Sequence, residues 1–291
     1  MKNYSALAFA ALFATALGTR AGPPFRPVID GGGRVVSVPA QPQRILSLCT
    51  TVTDTLLRLG QKERLAGIDE YSRVVPGATN LAVLGRGSAL SREQVLARQI
   101  DLAFVWWFQD DAARFLADLQ VPVVRIRCNR SREIPATIRL IGQCLDLASA
   151  ADTLAQSVAE RLARLSITNN STTPPSVYLE LYSPFKTSGR DSCLNDLIEL
   201  AGGRNIAADV SGPILLSAER LIQADPEVIL LVEGFATPDS FARRNGMSAL
   251  AAVKAGRVHT IDRYWLVAGA GLPDAVANLE DIVAGTLHTK R

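Results

Sequence analysis

The chain has 291 residues, 48% of them hydrophobic and 20% charged, with 31 Lys and Arg against 28 Asp and Glu and a formal charge of +3. So much apolar material excludes a disordered chain, and at roughly 100–200 residues per domain the length suggests two domains or lobes. The near-balanced charge, without basic runs, argues against nucleic acid as a partner.

Lys2, the apolar run ALAFAALFATALG and the small-residue pattern TRA before Gly22 read as an export signal over residues 1–21; the run is too short to span a bilayer. Its removal takes Lys2 and Arg20 and no acid, leaving a charge of +1. No cysteine lies just after the run, so an exported, soluble protein without a lipid anchor is expected. An N-terminal α/β lobe then occupies residues 22–131. PVIDGGGRVVSVP predicts a hairpin about a glycine turn at Gly31–Gly33. RILSLC is a short strand, followed by the helix TTVTDTLLRLG with Thr50 or Thr51 as cap and Gly60 as stop. LAGID is the next strand, SREQVLAR a helix capped by Ser91 with Gln94 closing a capping box, and DLAFVWW a strand. DDAARFLADLQ (helix) and VPVVRIR (strand) complete an alternation that signals a mostly parallel sheet.

From Ser131 to Ser166 the strand signal stops. Apolar residues keep helical spacing over some thirty residues and Pro135 suits a first turn, a rod about 45–50 Å long, so residues 132–168 are expected to form one linking helix between two bodies. The polar connector SITNNSTTPPS leads into a second α/β lobe, residues 169–291. There VYLELY, EVILLVEG and RVHTID read as strands. SCLNDLIELAGG, LSAERLIQA, MSALAAVKAG and PDAVANLEDIVAGTLH read as helices. One unit recurs: SREQVLARQIDLAFVW from Ser91 aligns without a gap on SAERLIQADPEVILLV from Ser217, placing Glu93 on Glu219. The fold class expected is therefore α/β, two Rossmann-like lobes with mostly parallel sheets joined by one long helix, and a ligand cleft between them.

Ligands of open α/β sheets sit beyond the carboxyl ends of the strands. Those ends carry Thr50 and Thr51, Tyr71, Trp106, Trp107, Phe108 and Arg127 in the first lobe. In the second they carry Tyr182, Phe185, Phe235, Tyr264 and Trp265. All three tryptophans fall at strand ends, which favours a flat or macrocyclic ligand or an aromatic chelate. Arg86, Arg127, Arg130 and Arg190 are candidates for meeting ligand carboxylates or the negative charge of a chelate. With only two histidines, His259 in a strand and His288 in the tail, a bare metal site of the His-rich kind is not expected. A preformed chelate needs no protein ligand, whereas haem needs an axial one, for which Tyr71 or Tyr182 is available. Cys49, Cys128, Cys144 and Cys193 form no CxxC pair. In an oxidising compartment they allow one or two disulfides among three full pairings, a single bridge within the first lobe being the simplest. An enzyme is not expected: the chain has no GxSxG and no HExxH, and LGRGSAL around Ser88 lacks the final glycine of a nucleophile elbow.

The ordered pieces GRVVSVPAQPQRILSL, LLRLGQKERLAGID, SREQVLARQIDLAFVW, DSCLNDLIELAGGRNIAAD, LSAERLIQADPEVILL and LAAVKAGRVHTID resemble the helical-backbone (class III) periplasmic substrate-binding proteins of ABC importers, the group that carries ferric siderophores, haem and cobalamin. The resemblance implies a periplasmic, monomeric, non-enzymatic carrier of a metal chelate, siderophore or corrinoid with haem as an alternative, that holds no cofactor of its own. It also implies a membrane permease as partner, with Glu93 and Glu219 docking on permease arginines, a geometry that charge-assisted Arg–carboxylate pairs suit. A ligand-sensing subunit of a membrane receptor is a second reading of the same architecture.

Overall fold

A computed structural model describes residues 25–87, 89–168 and 172–285. The export signal, Ser88, part of the polar connector and His288 lie outside the described residues. The predicted hairpin is present: β1 (Phe25–Ile29) pairs antiparallel with β2 (Val35–Pro39). Asp30 shapes its turn by accepting the N–H groups of Gly32 and Arg34, both at 2.9 Å.

The first lobe adds β3 (Ile45–Ser47), α1 (Thr50–Arg58), β4 (Leu65–Asp69), β5 (Val83–Arg86), β6 (Ala89–Leu90), α2 (Arg92–Ala97), β7 (Leu102–Trp106), α3 (Asp110–Asp118) and β8 (Val123–Ile126). Its sheet has the order β6-β5-β4-β3-β7-β8, parallel except for the short edge strand β6. The linker follows as α4 (Ile134–Leu145) and α5 (Ala148–Thr168). The second lobe holds β9 (Ser176–Glu180), β10 (Lys186–Ser188), α6 (Cys193–Leu200), β11 (Arg204–Asn205), β12 (Pro213–Leu215), α7 (Ala218–Ala224) and β13 (Val228–Val232). It ends with α8 (Pro238–Ala242), α9 (Ala251–Lys254), β14 (Val258–Ile261) and α10 (Leu272–Ala284). Its main sheet runs β11-β9-β13-β14, all parallel, with β10 and β12 forming a small antiparallel ribbon beside it. The MSALAAVKAG stretch expected as one helix is a 3₁₀ turn, Met247–Ala249, followed by the single turn of α9.

Strand side chains alternate between two faces, and the contacts follow that period. Ile45, Leu102, Phe104, Val124 and Ile126 of the first sheet, with Val177, Leu179, Val228, Leu230 and Val232 of the second, point into one core shared by both lobes. Residues from α1, α4, α5, α6 and α10 fill the space between. On the outer faces Leu46, Ala103 and Val105 join a second cluster, and Tyr178, Ile229 and Leu231 a third. Fully burying a Leu, Ile, Val or Phe contributes about 1.5–3 kcal/mol, so a core continuous through both lobes binds them strongly to each other.

The linking rod is not one helix. It breaks at Asp146, which adopts the left-handed conformation with φ 61°. The N–H groups of Asp146 and Leu147 both turn back to the carbonyl of Gly142, ending α4 as a Schellman-type cap. Helix α5 then starts in a new direction and packs on α4: a Cβ at Gly142 would lie 2.2 Å from the Cβ of Ala151, so only glycine admits this crossing. Arg139 on α4 reaches Asp152 on α5 at 2.7 Å. The long helix is thus α5 alone, 21 residues, about 30 Å. The four cysteines are buried in the shared core and free, so the disulfide expected within the first lobe is absent. Burial pushes the Cys128 and Cys144 thiols up to about 12.

Candidate functional site: an aromatic cleft between the lobes

Both main sheets are wound outward from an internal strand, and each therefore has a point where successive crossovers depart in opposite directions. In the first sheet that point lies between β3 and β7, in the second between β9 and β13. A crevice opens outside the carboxyl ends of the two strands at such a switch point. The chain leaving β7 carries Trp107 and Phe108, 42% and 61% exposed. The chain leaving β9 carries Tyr182 and that leaving β13 carries Phe235, 49% and 45% exposed. Large apolar rings left open at both crevices, when the rest of the core is closed, mark the candidate site.

In the first lobe Trp106 stacks on Phe108 with ring centroids 6.2 Å apart, and Trp107 meets Phe108 edge-on at 5.7 Å. Gln109 fixes this turn by accepting the Trp106 N–H at 2.8 Å. The guanidinium of Arg127, just past β8, lies 5.4 Å over the Trp107 ring. In the second lobe Tyr182 meets Phe235 edge-on at 5.3 Å, and Arg263, just past β14, lies 5.2 Å over Phe235. Neither Arg127 nor Arg263 has an ion-pair partner among the described residues, whereas most other arginines near the cleft do. A guanidinium resting on a ring, with no carboxylate to satisfy it, is free to meet an anionic group.

The Tyr182 loop is set from below by Glu180. This carboxylate, 1% exposed, accepts the Phe185 N–H at 2.9 Å, the Tyr178 hydroxyl at 3.1 Å and Arg244 Nη1 at 2.7 Å. Tyr71 is placed in the other lobe by buried Asp69, which accepts the Ser72 N–H at 3.0 Å and so caps the 3₁₀ turn Glu70–Val74. Burial, opposed by Arg263 and reinforced by Tyr71, pushes the Tyr182 phenol up.

Several residues expected to line the cleft have other tasks. Thr51 is fully buried and its hydroxyl donates to the Ala268 carbonyl at 2.7 Å, tying the lobes together; the N-cap of α1 is Cys49, without a side-chain bond. Tyr264 donates its hydroxyl to Asp54 of α1 at 2.6 Å, and Trp265 packs against the shared core. Phe185 packs into the outer core of the second lobe beneath Arg244. Arg130 is held by Asp196 and Asp191, and Arg190 donates to the Asp209 carbonyl at 2.5 Å. Thr50 is half-buried at the first residue of α1. Arg86 stands exposed on the rim, 3.4 Å from Glu70. Glu93 and Glu219 are exposed in the first turns of α2 and α7. The strand-end rule that found Phe235 also reaches Arg263, the second residue after β14, which the sequence reading passed over for its aromatic neighbours.

The same geometry shows a joint between the lobes beside the cleft. Asp54, 1% exposed on α1, accepts the Tyr264 hydroxyl, the Gly271 N–H at 3.1 Å and Arg58 Nε at 3.1 Å. Arg58 also reaches Tyr264 and Asp274, and Arg161 of α5 reaches Asp274 at 2.6 Å. A Cβ at Gly271 would fall 2.1 Å from the Tyr264 hydroxyl, so glycine there lets the loop close on the carboxylate. Two hollows lie elsewhere. One of about 250 Å³ is bounded by Arg130, Ser166 and Glu199, and one of about 540 Å³ by β2, α3 and β8. Neither contains the aromatic clusters. Among the described residues no three His, Cys, Asp or Glu are placed to hold a metal ion, and no helix is long and apolar enough to cross a membrane.

The periplasmic binding protein family matches residues 45–264. An ABC transporter substrate-binding lipoprotein of Bacillus subtilis, YvrC, is 24% identical over 247 residues, covering 80% of this chain and 77% of that protein. A cobalamin-binding protein of Halobacterium salinarum is 28% identical over 214 residues, 69% of this chain but only 57% of the relative's length. Among solved structures, the apo periplasmic heme-binding protein RhuT of Roseiflexus superposes with a TM-score of 0.77 at 23% identity, covering 84% of this chain and 98% of that one.

Proposed function

The chain belongs to the periplasmic binding protein family, and on that premise we propose that it captures a metal chelate carrying negative charge, a corrinoid or ferric siderophore, and hands it to the permease of an ABC importer outside the cytoplasmic membrane. The observation that carries this reading is the matched pair of walls. Each lobe presents, at its switch point, exposed rings with an arginine lying on one of them that has no ion-pair partner among the described residues: Arg127 on Trp107, Arg263 on Phe235. Flat or macrocyclic surfaces pack on such rings, and carboxylates or phosphates on a ligand's edge meet the two cations. The likeness to a cobalamin-binding relative supports the corrinoid over the siderophore. No reacting group is required of the protein, and the relatives are named as binding proteins rather than enzymes. The joint about Asp54 makes the hinge stiff, so capture needs only a small closing motion.

Haem is the second reading, favoured by one observation: each lobe offers a half-exposed phenol, Tyr71 and Tyr182, and a phenol deprotonated by a ferric centre is an axial ligand. The test is titration of the purified chain with cyanocobalamin, haemin and ferric siderophores, followed by tryptophan fluorescence. Trp107 sits in the wall and should quench on stoichiometric binding. Haemin alone quenching, with a tyrosinate charge-transfer band, selects the second reading. Failure of all three classes to quench refutes the chelate assignment.

A further inference from the structure

Two buried aspartates, Asp54 on α1 and Asp196 on α6, occupy the same register in the two lobes. Laying α6 over α1 with Asp196 on Asp54 puts buried Ile198 on buried Leu56 and Gly202 on Gly60, both glycines with positive φ just past their helices. The sheets correspond in the same way: β14 stands at an edge beside β13 as β8 stands at an edge beside β7. The chain leaving each edge strand first carries a cleft arginine, Arg127 over Trp107 and Arg263 over Phe235. It is then gripped by the aspartate of the opposite lobe. Asp196 of the second lobe accepts Arg130 Nε at 2.8 Å and the N–H and hydroxyl of Ser131 at 2.7 and 2.8 Å. Asp54 of the first lobe accepts the Tyr264 hydroxyl at 2.6 Å and the Gly271 N–H at 3.1 Å.

A guanidinium lying on a ring keeps its place only as well as the backbone beneath it does. Glu133 stiffens the first segment by accepting the Asn129 N–H at 2.7 Å and the Arg130 N–H at 3.2 Å, and Asp262 stiffens the second by accepting the Tyr264 N–H at 2.8 Å. Each segment is thus fixed at one end by its own strand and further on by a carboxylate of the other lobe. Bonds to a buried carboxylate are short and directional, so they hold position as well as contribute energy. We infer that Asp54 and Asp196 are reciprocal positioning residues for ligand capture. Asp196 holds the segment that aims Arg127, and Asp54 holds the segment that aims Arg263. The spacing of the two cleft cations is therefore set across the lobes rather than within each, and it selects chelates whose anionic edge groups match it. Neither aspartate touches the ligand. This rests on the carrier reading above and adds the residues that tune its preference for charge.

The test titrates the purified chain with dicyanocobyrinic acid, a corrinoid with ionised edge carboxylates, and with its heptamethyl ester, which keeps the macrocycle and loses the charge. Asp54→Asn and Asp196→Asn are compared with wild type, with circular dichroism to show that each is folded. Tyr264→Phe and Ser131→Ala, which remove one donor from each grip, take their place if either fails to fold. Each Asn variant should bind the acid about tenfold more weakly and the ester within about twofold of wild type; the milder pair should lose about threefold for the acid alone. The pairing is read by a cycle: Asp196→Asn should add nothing once Arg127 is Ala yet keep its effect when Arg263 is Ala, and Asp54→Asn the reverse. Equal losses for acid and ester mark the aspartates as merely structural and overturn the inference, as do unchanged affinities or a cycle without that pairing. A wild-type chain that binds neither probe refutes the anionic-corrinoid carrier reading itself, and the positioning role with it.

Discussion

Replacing Tyr264 by Phe removes one hydroxyl from the joint between the lobes and leaves the ring in place. That hydroxyl donates to Asp54 Oδ1 at 2.6 Å and accepts from Arg58 Nη2 at 2.9 Å. Asp54 is 1% exposed, so bulk water does not replace the lost donor. A hydrogen bond to a charged group contributes about 1.5–3 kcal/mol. The Gly271 N–H and Arg58 Nε remain on the carboxylate, so the expected loss is about 2 kcal/mol, or about 3–4 °C in Tm for a chain of this size. Asp54→Ala removes the acceptor of all three donors and leaves the Arg58 charge half-stranded, for which about 3–5 kcal/mol is expected. The assay is urea and thermal unfolding by circular dichroism of wild type, both single variants and the double variant. Since the hydroxyl's contribution exists only when the carboxylate is present, the cycle should show a coupling of about 1.5–2 kcal/mol. A coupling below about 0.5 kcal/mol, or an unchanged Tm for Tyr264→Phe, would falsify the reasoning: the joint would then be no source of inter-lobe stability.

Other outcomes follow from the same contacts. Arg127→Ala and Arg263→Ala should each weaken binding of an anionic chelate about tenfold, and the wild-type affinity should fall with salt, read by calorimetry at two ionic strengths; affinity indifferent to both changes removes charge from recognition. Gly142→Val should destabilise by about 1–3 kcal/mol by wedging α4 from Ala151, and a variant as stable as wild type would show that the crossing relaxes freely. Burial opposes ionisation of Asp274, but the hydrogen bonds and charges of Arg161 and Arg58 outweigh it and hold the carboxyl below its ordinary 3.8. A depressed acid contributes stability above its unfolded pKa and loses it as pH falls through the folded one. Urea unfolding between pH 5 and pH 3 should therefore show wild type losing more stability than Asp274→Asn, and parallel losses would contradict the assignment. Glu93→Ala with Glu219→Ala should leave chelate affinity intact and abolish uptake in cells; normal uptake removes the acids from docking.

Much of the architecture is legible in local pattern. Two-residue alternation in LAFVW and VILLV, helical spacing in DLIELA and the Ser caps at Ser91 and Ser217 each depend on a few neighbouring residues, so they can be read from the chain directly. The strand-end rule likewise located Trp107, Phe108, Tyr182 and Phe235, because in a parallel sheet the carboxyl edge is implied by chain direction alone. The two-residue strands β6 and β11 and the ribbon of β10 and β12 left no such mark, being too short for a period and held by their partners. The break at Asp146 also left none: CLDLAS contains neither Gly nor Pro, and the left-handed turn exists because Gly142 lets α5 pack across α4.

Composition and periodicity determined that this chain makes two parallel α/β lobes with rings and charges gathered at strand ends, since those features depend on which face of each element is apolar. Only the tertiary structure decided what each polar group does there. Thr51 and Tyr264 became ties between lobes because the other lobe's carbonyl and carboxylate lie within reach, more than two hundred residues away in sequence. Arg130 was neutralised by two aspartates, whereas Arg127 and Arg263 rest on aromatic faces with no carboxylate partner among the described residues. A side chain's charge is written in the sequence; whether a partner satisfies it is set by long-range proximity.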